Sequence, residues 1–456
     1  MADSPQSQAG TQAPLDPTTM SNGANTELPV LPGQPQDPAG LMASMADPTM
    51  MPVLPPMQSI SADEIALYDR QIRLWGVKAQ EMIRNATILL IGIRALGNEI
   101  AKNLVLAGIG SLTILDHENV IEEDLGSQFL ITEENIGKNR AEAAAVELRR
   151  MNPRVNVIAD QEGIMTKMPQ YFAAFQIVIA TSQPFEMAST INMSCRMFNT
   201  KFYAADLHGL YGYVFSDLIM HSFVIEKDKS NIPSKAGTAE TSTRMVVHVE
   251  TKKENNKLRE IVTKQEMYCP LMLANSSPLP PETIRSRRAK MRVPPLISCL
   301  RGLFDFQKQT GRQPSGRSED LALYTKITNE KHLELQLPHE TLTATVFRMF
   351  LQNLGTEIPP TAAFLGGQLA QDVINVLGMR EQPLQNLLLF DGDDFKCPIY
   401  SLQPVFDPSL SMMEPLDVGM APGMGVNGNG SMPTTNGGGP VSDTTQMQDD
   451  AHQAQG

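Results

Sequence analysis

From residue 61 onward apolar positions recur at spacings of three and four, and Ser61-Ala62-Asp63-Glu64 at their head has the form of a capping box. Ile65, Tyr68, Ile72, Trp75, Ala79 and Met82 draw one stripe, which predicts a helix broken in two at Gly76. The run Thr87-Ile88-Leu89-Leu90-Ile91 that follows is short and wholly apolar in its centre, as a strand buried on both faces requires, and Gly92 closes it. Helical spacing returns through Leu96, Ile100 and Leu104 with Gly108 as a stop, and Ser111 to Asp116 reads as a second strand. Strand, glycine turn, helix and strand form a βαβ unit, whose crossover implies parallel pairing.

The alternation continues with a helix over 141–152 and strand-like runs over 155–159 and 175–182. Between about 222 and 335 it gives way to mixed charges and breaks such as NNK and SSPLPP, which predicts an insertion of several polar helices. A helix over 361–378 and the runs NLLLFDG and CPIYSL restore it. The expected class is α/β, a Rossmann-like doubly wound sheet over 61–222 and 336–406 with a mainly helical insertion at 223–335.

Composition changes the picture at the two ends. Residues 1–60 contain eleven prolines, seven methionines and no aromatic residue, and 407–456 are rich in Gly and Met, so both are expected to be disordered tails. They also hold eleven of the fifty acidic residues and no base, so a formal net charge of -13 describes the tails and leaves the middle nearly balanced. The first basic residue is Arg70, which leaves no basic region for a signal peptide, and no apolar run reaches the roughly 18 residues that spanning a bilayer needs. Four dispersed cysteines write neither a disulfide framework nor a zinc site, which suits a reduced, intracellular protein.

The glycine turn is Gly92-Ile93-Arg94-Ala95-Leu96-Gly97. A dinucleotide-binding turn needs Gly at position 94, where backbone approaches pyrophosphate, and here Arg94 brings a Cβ and a charged stem. Asp116 lies nineteen residues beyond Gly97, near the place of a ribose-binding acid. Nucleotide binding and a βαβ fold without its nucleotide both remain open on the loop alone. His117 reads as a strand-end residue, Cys269 and Cys299 as nucleophiles or buried thiols, and no metal spacing occurs. Arg285, Arg287, Arg288, Lys290 and Arg292 form either a nuclear-localisation or polyanion patch or a solvated helix face, while Arg70 and Arg73 have the look of surface or salt-bridging arginines.

The string YDRQIRLWGVKAQEMIRNATILLIGIRALGNEIAKNLVLAGIGSLTILDHE, with EEDLGSQFLI, HGLYGYVFSDL, LGGQLAQDVINVL and LLLFDG further on, resembles the ubiquitin-like-modifier activating family, in its SUMO branch the smaller, regulatory subunits. The resemblance covers most of 61–222 and 336–402. It implies two paired adenylation folds of which only one keeps an ATP site. The active fold carries G-x-G-G-x-G, where this chain has Arg94 and Ala95 at the middle glycines between Gly92 and Gly97. The nucleotide-handling Asn and Arg of N-x-x-R-Q-F-L are replaced by Asp124 and Ser127, so that an acid is expected to face the place of the phosphates. The phosphate-binding Lys corresponds to Arg140, and the magnesium-binding Asp aligns near Gln183. Only Asp116 is retained, and a lone ribose contact does not hold ATP when the phosphate charge has no compensation.

The same resemblance gives Arg70 a role, that of the arginine that crosses the dimer interface to the triphosphate on the other subunit; Arg73 is the weaker match. It implies no cofactor on this chain, ATP and Mg2+ on a catalytic subunit of the SUMO-activating enzyme, and SUMO as the further partner, with 223–335 as a reduced catalytic-cysteine region. Neither membrane nor nucleic acid is expected as a partner, and the nucleus is the expected location. The alternatives are a regulatory subunit of the NEDD8-activating enzyme and an NAD(P)-dependent Rossmann oxidoreductase.

Overall fold

Ser61 caps the first helix as its sequence predicts, its hydroxyl accepting from the Glu64 amide at 3.3 Å while the Ser61 amide donates to the Glu64 carboxylate at 3.0 Å. The apolar stripe behind it forms α1 (Ala62–Leu67), α2 (Asp69–Trp75) and α3 (Val77–Arg84). The expected break at Gly76 is present, and a second falls at Tyr68, whose buried hydroxyl accepts from Asn152 at 2.9 Å. This computed structural model describes residues 60–404 apart from 255 and 256. Apart from Ile60, the tails expected at 1–60 and 407–456 lie outside the described residues.

The βαβ unit comprises β1 (Thr87–Ile91), α4 (Ala95–Ala107) and β2 (Ser111–Leu115). Alternation then runs through α5 (Arg140–Met151), β3 (Asn156–Asp160), β4 (Ile177–Thr181), α6 (Phe185–Met197) and β5 (Lys201–His208), before β6 (Tyr211–Asp217) turns back antiparallel. Next come β7 (Met220–Asp228), β8 (Arg244–Glu254) and β9 (Lys257–Met267), followed by α7 (Leu271–Ser276), α8 (Pro281–Ile284), α9 (Arg287–Lys290), α10 (Leu296–Thr310), α11 (Ser318–Glu334) and α12 (Ala344–Gln352). The chain closes with α13 (Pro359–Gly378), β10 (Leu387–Asp391) and β11 (Ile399–Tyr400).

The main sheet has the order β11-β10-β6-β5-β4-β1-β2-β3, parallel from β3 to β5. Strand order therefore reverses between β1 and β4, the point at which open α/β sheets place a ligand crevice beyond the carboxyl ends of their strands. One face is covered by α4, α5 and α13, with Leu90, Ile179, Leu104 and Leu369 fully buried; the other by α6, α10 and α11, with Leu89, Val178 and Phe306 equally enclosed. Each such side chain contributes about 1.5–3 kcal/mol by burial.

The span 223–335, expected to be mainly helical, divides in two. Its first part belongs to a separate antiparallel sheet of order β7-β9-β8 that starts at Met220. Outward-facing Met245 and Val247 beside inward Val246 remove the period of two from β8, and this hides the strand in the sequence. Its second part is helical, and α10 and α11 are a layer on the main sheet: that face has α6 as its crossover helix and needs further apolar cover.

Candidate functional site

At the switch point the residues after β1 and β4 face one another. Gly92 has φ +84°, and a Cβ there would stand 2.8 Å from the Thr181 carbonyl oxygen; at Gly97 it would stand 2.4 Å from the Gly92 oxygen. These two glycines survive because strand and helix touch at them. Buried Asn98 fixes the turn, donating to the Ile93 and Arg94 carbonyls at 2.8 and 2.9 Å and accepting from the Leu130 amide at 3.1 Å. Thr181 closes it from the other side, its hydroxyl donating to the Gly92 oxygen at 2.9 Å.

Arg140 begins α5 beneath this turn and is buried at 3% exposure. Its guanidinium lies 3.3 Å from Asp116, 2.8 Å from Glu118 and 3.1 Å from Asp124. Burial works against its charge and the carboxylates more than compensate, so its pKa rises, while its hydrogen bond draws Glu118 below the usual carboxylate range. Asp116 is further occupied by the Ile93 and Glu118 amides, each at 3.0 Å. Asp124, expected to face the phosphate position, is instead turned into the protein, accepting from Gln128 at 2.7 Å and from the Ile121 amide at 3.1 Å. Its physical reason is Arg140, whose buried guanidinium would be left short of a partner if Asp124 turned outward.

What remains open is a cleft of about 230 Å³ lined by Gly92, Arg94, Asp116, Arg140 and Gln183 among others. Ligand pockets run to about 300–1,000 Å³. Gln183 donates to the Thr181 carbonyl at 3.1 Å. Of the other expected positions, Ala95 and Gly97 lie within α4, and Asp124 and Ser127 do not reach the cleft wall. Sequence reasoning missed the acids Glu118 and Glu162, which also line the cleft, and Glu357. The Glu357 carboxylate accepts from the Ala95 amide at 3.0 Å and stands 3.6 Å from Arg94 Nε. Separated from Ala95 by 262 positions, it left no local signal.

The two arginines of α2 differ. Arg73 pairs with Asp69 at 2.9 Å along the helix, whereas Arg70 is exposed and has no ion pair or side-chain hydrogen bond among the described residues. Exposed Leu74 lies one turn from Arg70 on α2, and exposed Leu67 ends α1 just before it. The basic run places Arg285, Arg288 and Arg292 at the surface, with Arg287 held by Glu340. Cys195, Cys269 and Cys299 are buried, and burial pushes the Cys269 and Cys299 thiols up to about 12, far from the range of a ready nucleophile.

Three relatives extend the comparison beyond geometry. The chain is 36% identical to the DNA damage tolerance protein RHC31 of Saccharomyces cerevisiae over 75% of its own length and 98% of the relative's. It is 38% identical to SUMO-activating enzyme subunit 1 of Xenopus laevis, covering 73% and 94%, and 36% identical to SUMO-activating enzyme subunit 1 of Homo sapiens, covering 73% and 93%. The model of the ThiF family matches residues 68–406, from the buried Tyr68 through the last strand of the main sheet, and the chain belongs to the ThiF family.

Proposed function

We propose that this chain is the regulatory subunit of a heterodimeric SUMO-activating enzyme, in which a catalytic partner binds ATP and Mg2+ and adenylates the SUMO carboxyl terminus before taking it as a thioester. The relatives named SUMO-activating enzyme subunit 1 support this branch over the NEDD8 one, and Arg94 in the turn speaks against an NAD(P) oxidoreductase. The observation that carries the division of labour is the contrast between two arginines. Arg140 has spent its charge on two buried carboxylates and the exposed Glu118, while Arg70 stands exposed and unpaired among the described residues. A planar, permanently charged fork of this kind, supplied in trans, stabilises negative charge as it develops on polyphosphate.

The cleft of this chain is accordingly a pseudo-active site. A triphosphate entering it would meet Asp116, Glu118 and Glu162 with Arg140 already paired and Arg94 beside Glu357, and little would offset the desolvation of its charge. Calorimetry of the full-length chain alone is expected to register no ATP binding at micromolar concentrations; micromolar affinity would overturn this reading. Residues 223–335 stand where a catalytic-cysteine region would be inserted, and the buried Cys269 and Cys299 fit the loss of that chemistry.

For location the reading is nuclear, with exposed Arg285, Arg288 and Arg292 as the local determinant. Changing these three arginines to alanine is expected to move a fluorescently tagged chain toward the cytoplasm; unchanged nuclear retention would remove the determinant.

A further inference from the structure

The amino end of α4 is the point at which a nucleotide-binding βαβ unit receives phosphate, because its first amides and the helix dipole both favour an anion. That place is taken. The Glu357 side chain is 6% exposed, and its Oε2 accepts from the Ala95 amide at 3.0 Å with Arg94 Nε 3.6 Å away. Its other oxygen, Oε1, is buried and has no hydrogen-bond partner, and neither has Arg94 Nε. A carboxylate left half-satisfied in an enclosed site is costly unless its charge is answered there. The answer is the pair of features that would otherwise answer a phosphate, the helix end and Arg94.

The segment that delivers Glu357 is pinned rather than loose. The Gly209 amide donates to the Thr356 carbonyl at 2.7 Å and the Gly355 amide to His208 Nδ1 at 3.2 Å, which ties the segment to the end of β5. From there it enters α13 directly at Pro359. Burial raises the Glu357 carboxyl above its ordinary range, and Arg94 with the Ala95 and Leu96 amides offsets that only in part.

We infer that the amino end of α4 is an anion site whose resident ligand is the Glu357 carboxylate, and that removing this side chain opens it to a free phosphate-class anion. The inference rests on the pseudo-site reading, since an anion already in place is part of what keeps nucleotide out. It names a single side chain as the occupant, where sequence reasoning assigned the loss of phosphate binding to Arg94, Ala95, Asp124 and Ser127.

The test uses the full-length chain with inorganic pyrophosphate as the probe, measured by calorimetry without magnesium. Glu357→Ala is expected to bind pyrophosphate about tenfold or more tighter than the wild type, and Arg94→Ala added to it should reverse most of the gain. No gain in the Ala variant, with the wild type still refusing ATP, overturns the inference and spares the pseudo-site; micromolar ATP binding by the wild type overturns both. Should Glu357→Ala not fold, Glu357→Gln decides: it keeps the shape and the acceptor but lacks the charge. It is expected to bind pyrophosphate about threefold or more tighter than the wild type, and binding no tighter overturns the inference.

Discussion

Changing Arg70 to alanine is expected to reduce SUMO-dependent ATP:pyrophosphate exchange by the reconstituted pair about 10²–10³-fold while the two subunits still co-elute. The size follows from what is removed: one charged donor supplied to developing negative charge. Arg73 provides the internal control. It lies on the same short helix but is paired with Asp69 at 2.9 Å, so Arg73→Ala should change exchange less than about threefold, the scale of an exposed ion pair. Arg70→Lys separates charge from geometry, because a lysine retains the charge and loses the fork, and an intermediate rate is the expected result. Exchange at the wild-type rate in Arg70→Ala, with the complex intact, would make the residue structural and this subunit a scaffold. Loss of co-elution would instead assign Arg70 to the interface formed with its flanking leucines, Leu67 and Leu74.

The features legible in the sequence were those with local causes. A capping box, a two-sided apolar strand and a glycine turn act over a few residues, and each stands where its pattern predicts. Arg94 at the phosphate-facing glycine was likewise legible as a departure from the dinucleotide-binding turn, although the loop alone left both readings open. What the sequence hid depends on contacts between distant segments. Asp124 was expected at the phosphates because nothing near it says that Arg140 will fold beneath it. Glu357 lies in a polar stretch ahead of a proline-started helix, and its meeting with Ala95 is a product of the closed fold alone. The antiparallel sheet was missed for a third reason: β8 shows apolar residues to both sides, and a strand without alternation resembles a broken helix in sequence. The contrast between Arg70 and Arg73 was legible in part, because Asp69 stands one residue before Arg70 and four before Arg73, and only the spacing of four brings two side chains together on a helix.

Arg140→Ala is expected to cost about 3–5 kcal/mol of stability, the usual consequence of stripping one partner from a buried ionic cluster. Asp116 and Asp124, 7% and 4% exposed, would be left facing one another in place of a shared cation. For a fold of this size the fall in Tm is on the order of 10 °C. Asp124→Asn in the same background removes one of the stranded charges and should recover about 1–2 kcal/mol, so the two changes will not be additive. A deficit that is small, about 1 kcal/mol or less, would show that the cluster does not hold this part of the fold together. The measurement also separates two roles for this position. If Arg140 were poised for a phosphate, added ATP would raise the Tm of the wild type and not of the variant. If its charge is consumed internally, ATP leaves both unchanged, and a residue at a phosphate-binding position serves only to keep the end of β2, the turn at Asp124 and the start of α5 together.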